Sequence, residues 1–183
     1  MPEISSLTVS AVVTGSVLLV FFLAWLCFPQ ATNGRLAAFP RNRLPGIALT
    51  AVDITLIAYL LLSEGFSWIE AYRPLVFVAA PAAFAIVVIF MDELLSVRAL
   101  GGLFLLIPFW ILKTAFMHPS SARLLMTSFA YLVAAAGMAL IWSPYLFGRI
   151  VKRARAGGPA GYIIGFSGAA LGTAMIILGF FAY

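Results

Sequence analysis

Charge is scarce in this sequence. Eleven basic and six acidic residues make up 9% of 183 positions, against roughly 25% in an ordinary soluble domain. So few charges do not cover a water-soluble globule of this size, but they suffice for the loops of a chain surrounded by lipid. Cysteine is nearly missing. Cys27 stands alone, which excludes an internal disulfide, a CxxC redox pair and a cysteine-rich metal site. His118 is the one histidine, so neither a bis-histidine haem nor a histidine metal cluster can form within one chain. No Lys or Arg precedes Arg35; the first apolar run therefore lacks the positive leader of a cleavable signal peptide and reads as a retained span. No Gly-rich phosphate loop, metal-ligand spacing or pair of carboxylates on one helix face occurs, and no cofactor is expected.

What is present is apolar. Hydrophobic residues make up 64% of the chain and its mean hydropathy is +1.11. At roughly 20 residues per membrane helix, that content is enough for five or six spans. Apolar windows fall at about 9–28, 46–63, 75–95, 99–116, 124–142 and 161–182, each bounded by charge, Pro or Gly. The fold class expected is all-α: a single transmembrane domain, a bundle of six helices joined by short loops. The run from Leu75 to Phe116 is too long for one crossing, since it would make a helix of about 63 Å, twice the hydrocarbon thickness. Asp92, Glu93, Arg98 and Gly101-Gly102 mark the expected turn within it.

The basic residues orient the bundle. Loops one, three and five hold Arg35, Arg41, Arg43, Arg98, Arg149, Lys152, Arg153 and Arg155, while Arg73, Lys113 and Arg123 lie on the other side. Eight against three places the odd loops in the cytoplasm and both termini on the non-cytoplasmic side. The expected location is the cell (inner or plasma) membrane. The net charge of +5 is accounted for by this asymmetry, so nucleic acid is not an expected partner. Trp25, Trp142, Tyr145 and Tyr162 near the inner ends, and Trp68, Tyr72 and Tyr183 near the outer ends, are placed as interfacial belts.

Three features carry the functional reading. The sixth span aligns Gly161, Gly165, Gly168, Gly172 and Gly179 on one face. Glycine at this spacing permits close helix approach in lipid, either to a neighbour such as the fifth span, with its Ala130, Ala134 and Gly137, or to a partner chain or second copy. At the inner turns, Arg41, Arg43, Arg149, Lys152, Arg153 and Arg155 suit anionic headgroups of the inner leaflet. Arg149, Lys152 and Arg153 would share one face of a short helix. Asp53, seven residues into the second span, is a carboxylate whose insertion costs on the order of 2–3 kcal/mol. It needs a partner, and Arg98, or less easily Arg43, is within reach. With Asp92 and Glu93 it makes either a proton or cation site or a structural polar contact.

Gly165-Phe166-Ser167-Gly168 resembles the serine motif of the rhomboid intramembrane proteases. That family pairs its Ser with a later His, whereas His118 precedes Ser167 and belongs to the opposite end of the bundle, some 20 Å away across a core of about 30 Å. A nucleophile and base must be within hydrogen-bond reach, so the motif reads as more of the small-residue face. The expected function is a non-enzymatic accessory or structural subunit, or a lipid-contacting protein, packing against other membrane subunits or a second copy of itself. The runner-up is a small oligomeric transporter or channel using Asp53, and behind it a lipid-modifying enzyme at the inner interface using Asp92, Glu93 and Arg98.

Overall fold

The computed structural model describes residues 6–63, 72–91, 94–116, 119–154 and 158–181, and every regular element among them is helical. In chain order these are α1 (Ser6–Cys27), α2 (Pro29–Ala38), a single 3-10 turn (Phe39–Arg41), α3 (Arg43–Ser63), α4 (Arg73–Phe90), α5 (Leu95–Ala115), α6 (Arg123–Trp142), α7 (Tyr145–Arg153) and α8 (Pro159–Phe181). Six of them, α1, α3, α4, α5, α6 and α8, are long and apolar enough to cross a membrane. This is the architecture of an integral membrane protein.

The core lies where four of these helices converge. Leu7 and Ala11 of α1, Ile111 and Ala115 of α5, Met126 and Ala130 of α6 and Met175 of α8 form one buried cluster. Small and large side chains alternate in it, which lets helices fit closely where lipid supplies little hydrophobic drive for association. A hydroxyl contact crosses the same region: Ser10 Oγ lies 3.1 Å from Thr114 Oγ1, tying α1 to α5.

Two antiparallel pairs are pinned by reciprocal glycine contacts. A Cβ on Gly15 would come within 2.7 Å of the Gly172 carbonyl oxygen, and one on Gly172 within 2.9 Å of the Gly15 oxygen. Gly101 of α5 and Gly137 of α6 are matched likewise, at 2.9 and 2.8 Å. At both crossings the backbones approach as only glycine allows. α3 lies along α5 in the same direction, and α4 packs on α3. α4 itself buries none of its residues within the chain.

Three expectations about connections and packing are corrected. The glycine face of the sixth span, here α8, meets α1 and not the fifth span; the Gly137 face of the fifth span is taken up by Gly101 of α5. The glycine notches of α8 receive bulky side chains of α1, among them Phe22 and Leu26. Gly101 and Gly102 do not make the turn between the third and fourth spans, since both lie inside α5. Leu94, with φ 57°, immediately precedes that helix in the left-handed region, a conformation costing an L-residue roughly 1–2 kcal/mol. The first loop, expected to be short, carries the helix α2, whereas α7 in the fifth is the short helix that Arg149, Lys152 and Arg153 were expected to share.

Candidate functional site

One end of the molecule gathers α2, the 3-10 turn and α7. Ring contact between Phe39 and Phe147, with centroids 5.6 Å apart, brings the turn against α7. Pro29 opens α2, where its missing N–H is no loss. Between α2 and α7 lies a cleft of about 500 Å³ lined by Gln30, Asn33, Gly34, Ala37, Val151 and Lys152. Polar and apolar residues segregate sharply around α7, with Arg149, Lys152 and Arg153 exposed. Arg35, Arg41 and Arg43 are also exposed at this basic end. Arg155 lies outside the described residues, as do Asp92, Glu93 and His118.

The glycine face of α8 is accounted for by α1. A Cβ on Gly165 would meet the Leu26 side chain at 2.5 Å, one on Gly168 the Phe22 ring, and one on Gly179 the Val12 side chain at 2.9 Å. The Trp25 indole Nε1 donates to the Gly161 carbonyl at 3.2 Å, closing the basic end of the same pair. Ser167 is exposed and its hydroxyl donates to the Ile164 carbonyl within its own helix at 3.1 Å.

The third region is the seam between α3 and α5. Among the described residues, Thr50, Asp53 and Ser96 are the buried polar side chains, and all three lie on it. From the basic end inward, Ser96 Oγ donates to the Asn42 carbonyl. Gly46 lies against Ser96, where a Cβ would be 2.9 Å from its Oγ. Thr50 Oγ1 donates to the Gly46 carbonyl at 2.8 Å. Asp53 follows, its Oδ2 lying 2.7 Å from where a Cβ on Gly102 would stand. Farther on, Tyr59 and Trp110 stack across the seam with centroids 5.9 Å apart. Gly46, Thr50 and Asp53 are the buried residues of α3, and their spacing of four and three places them on one helical face.

α3 starts at Arg43, so Asp53 is ten residues in, about 15 Å along a helix of about 31 Å. It is 7% exposed. The expected ion pair with Arg98 is not formed: Asp53 Oδ1 and Arg98 Nε are both buried without a hydrogen-bond partner. Arg98 belongs to α5, one turn before Gly102 and on the same face, and Gly102 lets the carboxylate lie against bare backbone there. Thr50, Ser96 and Gly102 were not singled out by sequence as site residues. The signal for the first was present, Thr50 standing one turn before Asp53. The pairing of Asp53 with Gly102 crosses between helices and leaves no local pattern.

No protein-family model matches the chain, and neither the curated proteins nor the solved structures contain a significant match to it.

Proposed function

We propose that the chain is a non-enzymatic multi-pass membrane protein, an accessory or structural subunit that rests its basic end on anionic phospholipid headgroups of the inner leaflet. The observation that carries this reading is α7. It is a nine-residue helix whose exposed Arg149, Lys152 and Arg153 share one face, and it stands beside an open cleft that it shares with α2. Tyr145 and Ile150, both exposed, give the same helix apolar surface for the headgroup boundary, as an interfacial helix requires.

The test is lipid-dependent stability. The purified protein is titrated with phosphatidylglycerol or phosphatidylcholine in micelles, and its thermal unfolding followed by circular dichroism. Phosphatidylglycerol is expected to raise the melting temperature and phosphatidylcholine not. At about 1 kcal/mol per basic residue near an anionic surface, the combined variant Arg149→Gln, Lys152→Gln, Arg153→Gln should bind the anionic lipid roughly a hundredfold more weakly. Equal responses to the two lipids, or an unchanged response in the variant, would defeat the reading.

A further inference from the structure

The buried polar atoms of this molecule are not scattered. Thr50, Asp53 and Ser96 line one seam, which begins among the basic residues at Asn42 and Arg43 and stops at the middle of α3. On one side of Asp53 the seam carries hydroxyls at intervals of a helical turn. On the other, α3 buries no residue at all and meets α5 through the Tyr59 and Trp110 rings. A carboxylate that served only to hold α3 on α5 would be expected to accept hydrogen bonds across the contact. Asp53 Oδ1 accepts none.

We propose that Asp53 is a proton-exchanging carboxyl, open to the basic end of the bundle through the Ser96 and Thr50 hydroxyls and closed toward the other end. In the exchange, the O–H bond of the protonated carboxyl breaks and its electron pair stays on the Asp53 oxygen. The proton passes to a water molecule entering along the seam, and the return step reverses this. Gly102 leaves room for the carboxyl in the pose seen here, since a Cβ at that position would lie 2.7 Å from Oδ2 and make it turn.

The charged surroundings suit a proton. On α5, Arg98 stands one turn toward the basic end from Gly102, with its Nε buried and unpartnered and no ion pair formed with Asp53. Lys113, the other cation of α5, is near the far end of that helix, 6.0 Å over the Phe109 ring. α4, the other helix packed on α3, carries no titratable residue after Arg73, and Arg73 donates to the Leu62 carbonyl at the far end of α3. On α3 itself Arg43 opens the helix and Tyr59 lies beyond the carboxylate. A single anionic group is not the oxygen cage that a hard metal cation demands.

The experiment exploits the shortage of aspartate. Asp53 and Asp92 are the two in the chain, so protein made with carboxyl-13C aspartate and carrying Asp92→Asn has Asp53 as its one labelled carboxyl. Should that variant not fold, the difference between the labelled natural protein and Asp53→Asn supplies the same assignment. The protein is placed in sealed vesicles in one orientation, and the labelled carboxyl stretch is followed by infrared spectroscopy after pH jumps. The expected result is conversion between protonated and ionised forms when the jump is made on the basic side. A jump confined to the other side should leave the band unchanged. Thr50→Val, which removes one hydroxyl from the route, should slow the conversion roughly tenfold, about the weight of one hydrogen bond. A band that never changes with pH, that answers equally to both sides, or that converts at the same rate in Thr50→Val overturns the proposal.

Discussion

At the scale of single residues, Asp53 and Gly102 form a pair that depends on absence: one has no side chain, the other no hydrogen bond at Oδ1. The stability of the fold should then not rest on the charge of Asp53. Asp53→Asn is expected to leave thermal stability unchanged, or to raise it by up to about 2–3 kcal/mol through relief of the insertion cost. Gly102→Ala should destabilise by at most about 1 kcal/mol, because the atom its Cβ meets, Oδ2, is the end of a side chain that can turn aside. That loss should shrink by at least about 0.5 kcal/mol when Asp53 is also Ala, the coupling expected of residues in contact. Unfolding of the four proteins in one detergent, followed by circular dichroism, completes the cycle; additive losses would show that the two do not press on one another. Asp53 was legible in the sequence as a lone acid in an apolar run. Gly102 was not, because a Gly-Gly pair after a charged stretch reads as a turn whether or not the helix has already begun.

At the scale of helices, the pairing of α1 with α8 and of α5 with α6 is set by backbone contact at glycine. Gly172→Ala would place a Cβ 2.9 Å from the Gly15 oxygen and 3.0 Å from the Leu19 nitrogen, neither of which can rotate aside. A loss of about 1–3 kcal/mol is expected. Gly34→Ala and Gly148→Ala serve as counterparts: nothing lies within 4 Å of either new Cβ, so the helical preference of Ala should stabilise by up to about 1 kcal/mol. The comparison is read from melting temperatures; a Gly172→Ala protein no less stable than Gly34→Ala would show that α1 and α8 do not approach this closely. The sixth-span glycine stripe announced close packing without naming the neighbour, since small residues state a distance and not an address. α2 went unread for another reason. Its ten residues, Pro29–Ala38, include Pro, Gly and Asn, which by local preference belong to loops, and its helix closes against the rest of the basic end.

At the scale of the whole molecule, the six spans were readable because length and apolar content mark a membrane helix residue by residue. Each span starts one to four positions before its expected window, as α3 does at Arg43, and ends at that window's last residue or up to five positions short of it. Sidedness is a proposal resting on the gathering of basic residues at the end built by α2 and α7. In protein carrying Cys27→Ser, Gly148→Cys marks that end and Phe116→Cys, an exposed position, the other. A membrane-impermeant maleimide applied to intact cells is expected to label Phe116→Cys, and to reach Gly148→Cys only after permeabilisation. The reverse pattern would turn the bundle over.

The partnership of α1 with α8 also has a consequence in time. Between Gly15 and Gly172 lies nearly the whole chain, and a ribosome adding about 5–20 residues per second takes roughly 10–30 s to traverse it. Throughout that interval α1 waits in the bilayer with its contact surface uncovered, so whatever accompanies the nascent protein must leave that surface vacant or surrender it when α8 arrives.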